Sequence, residues 1–336
     1  MTEAGWQKIK SWKPQTSKEV PFKDGLCTYT ILCTPHERSV APQNLPISPM
    51  AIFDWAANRW LMSLMTSTAL VKVAAFFIAW AAFWLPLAIP IATLLKWRPP
   101  EPLAAEQKLP LLAPLYLIAP LILWGASRVE GGSFSDYGLD WKLNVLVSLG
   151  LGLGLAVLSL IIVFIGQGAL GWVEWRLENW QRLGKILLPV LLLGLWIGVI
   201  EELIFRGFLV NELNQDYSIW VAAAISSIIF ALLHLIWDQK DTLPQLPGLW
   251  LMGMVLVLAR WVDAGSLGLA WGLHAGWIWG LTCLDSAELI SYTGKGATWM
   301  TGLGEKPLAG VAGLLCLLGV GALLLFLMPY RLFLAS

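Results

Sequence analysis

The main chemical feature of this chain is a pair of adjacent glutamates inside an apolar stretch. Residues 191–210 read LLLGLWIGVIEELIFRGFLV, and Glu201, Glu202 and Arg206 carry the only charges in it. A carboxylate near the bilayer centre costs about 2.5–3.5 kcal/mol on insertion scales, so such a residue usually has a function or a partner. A carboxylate at this depth is therefore a candidate general base, metal ligand or proton carrier.

Helix geometry separates the roles of the three charges. Glu202 and Arg206 are four residues apart and share one helix face, which predicts an ion pair between them. Glu201 is rotated by about 100° from Glu202 and does not share that pairing geometry. The spacing therefore predicts one paired carboxylate and one that is free for chemistry.

Two of the three histidines lie in later apolar segments. His234 follows Phe230 by four residues in AAAISSIIFALLHLIW, so the two rings share a helix face, and His274 lies in LGLAWGLHAGWIWGL. Each could be structural, because a lone intramembrane histidine often hydrogen-bonds a neighbouring helix. On three different helices, however, Glu201, His234 and His274 could converge on one water molecule or one metal ion. A desolvated Glu201 could then serve as general base, while the imidazoles donate to an oxyanion or bind a metal such as zinc.

The elements that must hold these groups are membrane helices. The chain has 336 residues, of which 57% are hydrophobic and only 13% charged, whereas soluble domains carry about 25% charged residues. Many of the 21 tryptophans lie near the ends of apolar segments, which is typical of interfacial anchoring. A formal net charge of zero argues against nucleic acid as a partner. The composition predicts an all-α, multi-pass integral membrane protein in contact with lipid.

About eight segments reach or approach the roughly 20 residues needed to cross a bilayer. They are 69–95, 109–127, 143–170, 186–213, 217–237, 247–262, 266–283 and 308–329. A polar, proline-containing tail (1–66) is expected to precede N-terminal transmembrane helices (67–185) and a core (186–336). Between the third and fourth spans, 171–185 is either an amphipathic helix in the interface or a polar connector with aromatic anchors.

The chain resembles the CPBP family of intramembrane proteases, also called Abi, which includes the type II CAAX prenyl endopeptidases. The family's E-E-x-x-x-R motif matches Glu201, Glu202 and Arg206, and its F-x-x-x-H motif matches Phe230 and His234. Its third motif begins with a histidine in a later helix, here His274. The resemblance covers about 186–283 and implies a CPBP-type helical core with hydrolase activity.

The resemblance also implies a role for each matched residue. Glu201 would activate the attacking water with help from His234, while His274 would bind or stabilise the oxyanion. Glu202 with Arg206 would fix the first helix, and Phe230 would support the site. Members of the family have been described both as metal-dependent and as metal-free glutamate proteases, so the cofactor is either a divalent metal bound by Glu201, His234 and His274 or none.

One position departs from the family pattern. The third motif often continues H-x-x-x-N or H-x-x-x-D, but position 278 is isoleucine, which cannot donate to an oxyanion. Either another group substitutes for it or activity is reduced. The sequence thus favours an endopeptidase acting on a membrane-associated peptide or protein. The alternatives are a catalytically weakened scaffold in a membrane protein complex and a transporter or proton relay.

Overall fold

A computed structural model describes residues 19–22, 25–28, 62–98, 104–129, 131–236 and 239–334. The chain forms two compact units, Met1–Ala57 and Asn58–Ser336. In the first unit, β1 (Glu19–Phe22) pairs antiparallel with β2 (Gly25–Thr28). Most of the predicted polar tail lies outside the described residues.

The second unit is built from long apolar helices. They are α1 (Ala69–Leu94), α2 (Ala105–Val129), α3 (Leu143–Ala169), α4 (Trp180–Glu201), α5 (Val210–Asp216), α6 (Ile219–Leu233), the short α7 (Gln239–Thr242), α8 (Leu246–Val262), α9 (Gly268–Ser286), the short α10 (Thr298–Thr301) and α11 (Val311–Leu334). A π-helical segment, Glu202–Leu209, joins α4 to α5 without a break. The predicted all-α fold is confirmed, and each of the eight predicted spans coincides with one of these helical stretches.

Six helical stretches in the described part of the chain are long and apolar enough to cross a membrane. They contain α1, α2, α3, the continuous α4–π–α5 stretch, α6 and α8. The other two predicted spans also form helices. Helix α9 is not among the six, and in α11 the apolar stretch found is the shorter Val311–Leu327. The prediction of an integral, multi-pass membrane protein is confirmed.

The segment 171–185 does not form a separate interfacial helix. Residues Val173–Trp175 form β3, which pairs antiparallel with β4 (Ile290–Tyr292), and the Arg176 amide extends this pairing by donating to the Leu289 carbonyl. A single 3₁₀ turn, Leu177–Asn179, then leads into α4. The polar-connector alternative therefore describes residues 171–179, where the strand bonds to a distant part of the chain, and 180–185 form the first turns of α4.

Helix α9 lies at the centre of the second unit and contacts α3, α4 and α8. Glycines allow the backbone of α9 to lie directly against the backbone of α3. A Cβ atom added to Gly272 would lie 2.1 Å from the Leu149 carbonyl oxygen, and one added to Gly152 would lie 2.3 Å from the Leu269 oxygen. Small residues at helix contacts permit such an approach in membranes. This packing fixes the position of α9, the helix that carries His274.

The close approach of α3 and α9 makes Gly152 intolerant of a side chain. We expect Gly152→Ala to destabilise the protein by about 1–3 kcal/mol, the usual cost of overpacking a tight contact. Gly150→Ala on the same helix is the matched control, since a Cβ atom there meets nothing within 4 Å. Thermal unfolding in detergent measures both variants. Similar midpoints for the two would contradict the backbone contact described here.

Candidate active site

Glu202 is the most deeply buried of the charged groups and has two partners. Its side chain is 0% exposed. Its Oε1 atom accepts a hydrogen bond from Arg206 Nη1 at 2.9 Å and lies 2.7 Å from His274 Nδ1. The predicted Glu202–Arg206 pair is therefore present, and a carboxylate removed from water has charged or polar neighbours that offset its desolvation. Because His274 belongs to α9, this cluster also joins α9 to the helix that carries the glutamates.

The π-helical segment places this cluster. Over Glu202–Leu209 the helix widens, and the Val210 amide donates to the Phe205 carbonyl five residues earlier. The Phe205 carbonyl also accepts a hydrogen bond from Ser226 Oγ at 2.8 Å, and the Arg206 carbonyl accepts one from Arg260 Nη1. Helices α6 and α8 thus supply hydrogen bonds to the widened turn. Single π turns inside α-helices are frequent at functional sites.

Phe230 is the aromatic centre of the site. Its ring is fully buried, and the Arg206 guanidinium lies 4.4 Å from the ring centroid. A cation over an aromatic face is stabilised by the ring quadrupole, which helps Arg206 because its Nη2 atom has no hydrogen-bond partner in the described part of the chain. The same ring packs edge-on against His234, at 4.7 Å, and against His274, at 5.8 Å. Phe230 therefore holds both imidazoles and the guanidinium in place.

Glu201 faces a different environment from Glu202. It is 8% exposed and lines a cavity of about 310 Å³. Its Oε1 atom accepts a hydrogen bond from the Tyr116 hydroxyl, and its Oε2 atom lies 3.5 Å from His274 Nε2. Oε2 has no hydrogen-bond partner among the described residues. One carboxylate oxygen is thus held by a phenol, and the other is buried next to His274 without a hydrogen bond.

The cavity is mostly apolar, with three polar side chains in its wall. Glu201, Tyr116 and His234 supply the polar atoms, while tryptophan, phenylalanine, leucine and isoleucine side chains from α1, α2, the π segment and α6 supply the rest. An enclosed apolar pocket with a few convergent polar groups is typical of a ligand or substrate site. Glu201 therefore faces a cavity whose wall is mostly apolar.

His234 begins a 3₁₀ turn at the end of α6, where it is partly buried at the cavity wall. Its Nδ1 atom lies 2.8 Å from the Phe230 carbonyl oxygen. Because a carbonyl only accepts hydrogen bonds, Nδ1 must carry a proton, and the neutral ring then presents an unprotonated Nε2 atom. His234 is therefore oriented to accept a hydrogen bond through Nε2, or to donate one when it is charged.

Glu201, His234 and His274 do not form one metal centre in this arrangement. Among the described residues, no three His, Cys, Asp or Glu side chains are grouped so that they could hold a metal ion. Both His274 nitrogens face glutamates, and the Phe230 ring packs against both histidines. The structure brings Glu201 to His274 and places Glu201 and His234 on the same cavity.

Tyr116 is a site residue that the sequence motifs did not indicate. It lies on α2, 85 residues before Glu201, and its ring packs on Trp196 of α4 at 5.5 Å. The only signal in the sequence is a phenol within the apolar run APLYLIAPL. Ile278, by contrast, lies next to Gly194 of α4 and does not line the cavity. The hydroxyl that reaches Glu201 therefore comes from α2, and position 278 contributes packing.

Together these features define a helical membrane protein with a buried pair of glutamates beside an apolar cavity. Residues 183–280 match the sequence model of a protein family described as type II CAAX prenyl endopeptidase Rce1-like. This segment runs from α4 to α9 and contains every motif residue from Glu201 to His274, so the predicted resemblance is confirmed there. The match covers less than a third of the chain and excludes Tyr116. Neither a curated protein nor a solved structure matches the chain.

The two adjacent glutamates should respond differently to loss of charge. We expect Glu202→Gln to lower stability by about 3–5 kcal/mol, because Arg206 would be left as a buried charge without a carboxylate partner. Glu201→Gln should fold normally, since a glutamine oxygen can still accept the Tyr116 hydrogen bond. Folded yield and thermal midpoint in detergent measure both effects. An equal loss in the two variants would refute this division of roles.

Proposed function

We propose that this protein is an intramembrane endopeptidase that hydrolyses a peptide bond of a membrane-associated peptide or protein. The observation that carries the proposal is the position of Glu201, a carboxylate that lines an apolar cavity in the membrane part of the chain and has one oxygen without a hydrogen bond to the described residues. The family match supports hydrolysis of a CAAX-type substrate. The apolar wall suits a substrate that enters from the lipid phase.

In the proposed reaction Glu201 is the general base. A water molecule bound between the Glu201 carboxylate and the substrate carbonyl loses a proton to the carboxylate as its oxygen attacks the carbonyl carbon. The proton then passes from Glu201 to the amide nitrogen, and the carbon–nitrogen bond breaks to give a carboxylic acid and an amine. A positioned base of this kind contributes about 10²–10⁴-fold to the rate.

His234 acts on the developing oxyanion or on the water. Its Nδ1–H bond to the Phe230 carbonyl fixes the ring, so Nε2 is the atom presented to the reacting groups. When protonated, Nε2 donates to the oxyanion; when neutral, it accepts a hydrogen bond from the attacking water. Losing one oxyanion donor costs about 10²–10³-fold in rate.

His274 and Tyr116 position Glu201. His274 lies between the two glutamates, with Nδ1 at Glu202 and Nε2 at Glu201, and does not line the cavity. This position fits orientation of the general base better than contact with an oxyanion. The Tyr116 hydroxyl donates a hydrogen bond to Oε1 and orients it. Without this hydrogen bond, Oε1 would be free to compete for the water proton.

The test of the proposal is Glu201→Gln. Purified full-length protein in lipid vesicles should cleave a quenched fluorogenic peptide that ends in a prenylated CAAX sequence. Glu201→Gln should reduce kcat by about 10²–10⁴-fold, because the base is removed. Glu178→Gln is the matched control, since Glu178 is exposed in the turn before α4. New protein termini in membranes that contain wild type, compared with membranes that contain Glu201→Gln, extend the test to other substrates.

Two outcomes would contradict the proposal. The first is cleavage that persists in Glu201→Gln, which would reject Glu201 as the general base. The second is no cleavage of the peptide and no difference in membrane protein termini, together with full support of the cellular role by Glu201→Gln. That second result would favour a scaffold.

Tyr116→Phe tests the positioning role. The variant retains the ring that packs on Trp196 and loses only the hydroxyl. A hydrogen bond to a charged group is worth about 1.5–3 kcal/mol, so we expect kcat to fall by roughly 10- to 100-fold with KM little changed. The control is Tyr292→Phe on β4, outside this cavity. An unchanged kcat, or an equal loss in a Glu201→Gln background, would show that Tyr116 does not act through Glu201.

A further inference from the structure

A second cavity lies on the other side of α9, between α3 and α11. Its volume is about 520 Å³, and one face of α3 from Leu155 to Leu170 forms one wall while α11 forms the other. Fifteen residue steps of helix correspond to about 22 Å. That length exceeds the roughly 15 Å of hydrocarbon in one leaflet of a bilayer. The groove is therefore long enough for an extended acyl chain.

One polar side chain in the wall has no partner. Gln167 is 3% exposed, and neither its Oε1 nor its Nε2 atom makes a hydrogen bond to the described residues. Ser159, which also lines the groove, is already bonded to the Ala156 carbonyl and the Trp277 indole. A buried amide without partners is costly in lipid, so Gln167 needs a donor and an acceptor from elsewhere. The terminal torsion of glutamine is broad, so its amide can turn toward an occupant.

The chemistry of the lining restricts that occupant. Among the described residues, no Asp, Glu, Lys, Arg or His lines the groove, so none of them would balance a phosphate or a carboxylate. Gln167 lies near the end of α3, next to Trp172, whose ring type favours the membrane interface. The remainder of the wall is apolar. The site thus combines a neutral donor–acceptor group at one end with a hydrocarbon slot.

We propose that the groove between α3 and α11 binds a neutral acylglycerol that has a free hydroxyl, a monoacylglycerol being the simplest. The acyl chain lies along α3. The ester carbonyl accepts a hydrogen bond from Gln167 Nε2, and the neighbouring hydroxyl donates to Gln167 Oε1. The site is separate from the Glu201 cavity, because α9 lies between α3 and α4, and it does not depend on proteolysis.

Two glycines offer a way to fill the groove. A Cβ atom added to Gly166 on α3 or to Gly319 on α11 meets nothing within 4 Å, and both residues line the cavity. Leucine is a good helix former, so Gly166→Leu and Gly319→Leu should fold. Gly154→Leu is the matched control, since Gly154 lies on α3, also has open space and is outside the groove. The three variants differ in where the same side chain is placed.

The experiment uses a monoacylglycerol with a diazirine in its acyl chain, incorporated in vesicles that contain the full chain. After illumination, peptide mapping should find the label on α3 and α11. Gly166→Leu and Gly319→Leu should each reduce that labelling at least fivefold, whereas Gly154→Leu should leave it unchanged. Gln167→Leu should abolish the preference for this probe over the matching fatty-acid methyl ester, which lacks the hydroxyl.

Labelling that is equal in all three glycine variants would overturn the proposal, as would a Gln167→Leu protein that still prefers the hydroxyl-bearing probe. Label on α3 and α11 that an excess of phosphatidylcholine removes as readily as unlabelled monoacylglycerol would indicate general lipid contact and would also overturn it.

A protein in the groove would overturn the proposal as well. Crosslinks from a photoreactive residue at 319 to another copy of the chain, or to its own residues 1–61, would identify such an occupant. Thermal unfolding of each variant confirms folding, and Gly319→Leu on the opposite wall retains the test if Gly166→Leu does not fold.

Discussion

The carboxylate of Glu202 is the constraint on which the site depends. A charge with no solvent exposure is stable only if its partners replace water, and the partners here come from two helices. Arg206 reaches it from within the π segment, and His274 reaches it from α9. Breaking either contact leaves a polar group unpaired in the membrane. The same interaction that neutralises Glu202 therefore fixes the distance between α9 and the helix of the glutamates.

That constraint places Glu201 next to the cavity. With Glu202 turned toward Arg206 and His274, the preceding carboxylate points to another side of the helix, where α1, α2 and α6 enclose the cavity. Glu201 then shares His274 with its neighbour but has a phenol where Glu202 has a guanidinium. Two adjacent residues of the same type thus have different surroundings. Glu202 is held by a guanidinium and an imidazole, whereas Glu201 is held by a phenol and lies beside the cavity.

The sequence could predict the helices and the charged groups because both are local properties. Apolar runs of membrane length identify the helices, and a spacing of four predicts the Glu202–Arg206 and Phe230–His234 contacts, both of which the structure contains. The periodicity of apolar residues does not predict which helices are neighbours. Tyr116 could not be linked to Glu201 for that reason, since only the packing of α2 against α4 brings them together.

The features that the sequence failed to predict also depend on contacts between distant parts of the chain. The aromatic and charged pattern of 171–185 suits an amphipathic helix, but its backbone pairs with a strand more than a hundred residues away. Helix periodicity also could not predict the π-helical turn. Two of its carbonyls accept hydrogen bonds from Ser226 and Arg260, which lie on other helices. Among the described residues, Glu201, His234 and His274 do not form a group that could hold a metal ion, because three residues at similar depth need not converge. The Phe230 ring packs against both histidines, and His274 is held by the two glutamates.

Two parts of the chain form the wall of the cavity. The matched segment, 183–280, holds the charged residues, whereas Tyr116 and much of the apolar wall belong to α1 and α2. Trp80 and Trp84 on α1 donate to the Leu115 and Leu111 carbonyls of α2, so these two helices form one wall. A substitution in that wall changes the shape of the cavity without altering the Glu202 cluster. Half of the residues that line the cavity therefore lie before the segment that the motifs identify, and the motifs carry no information about them.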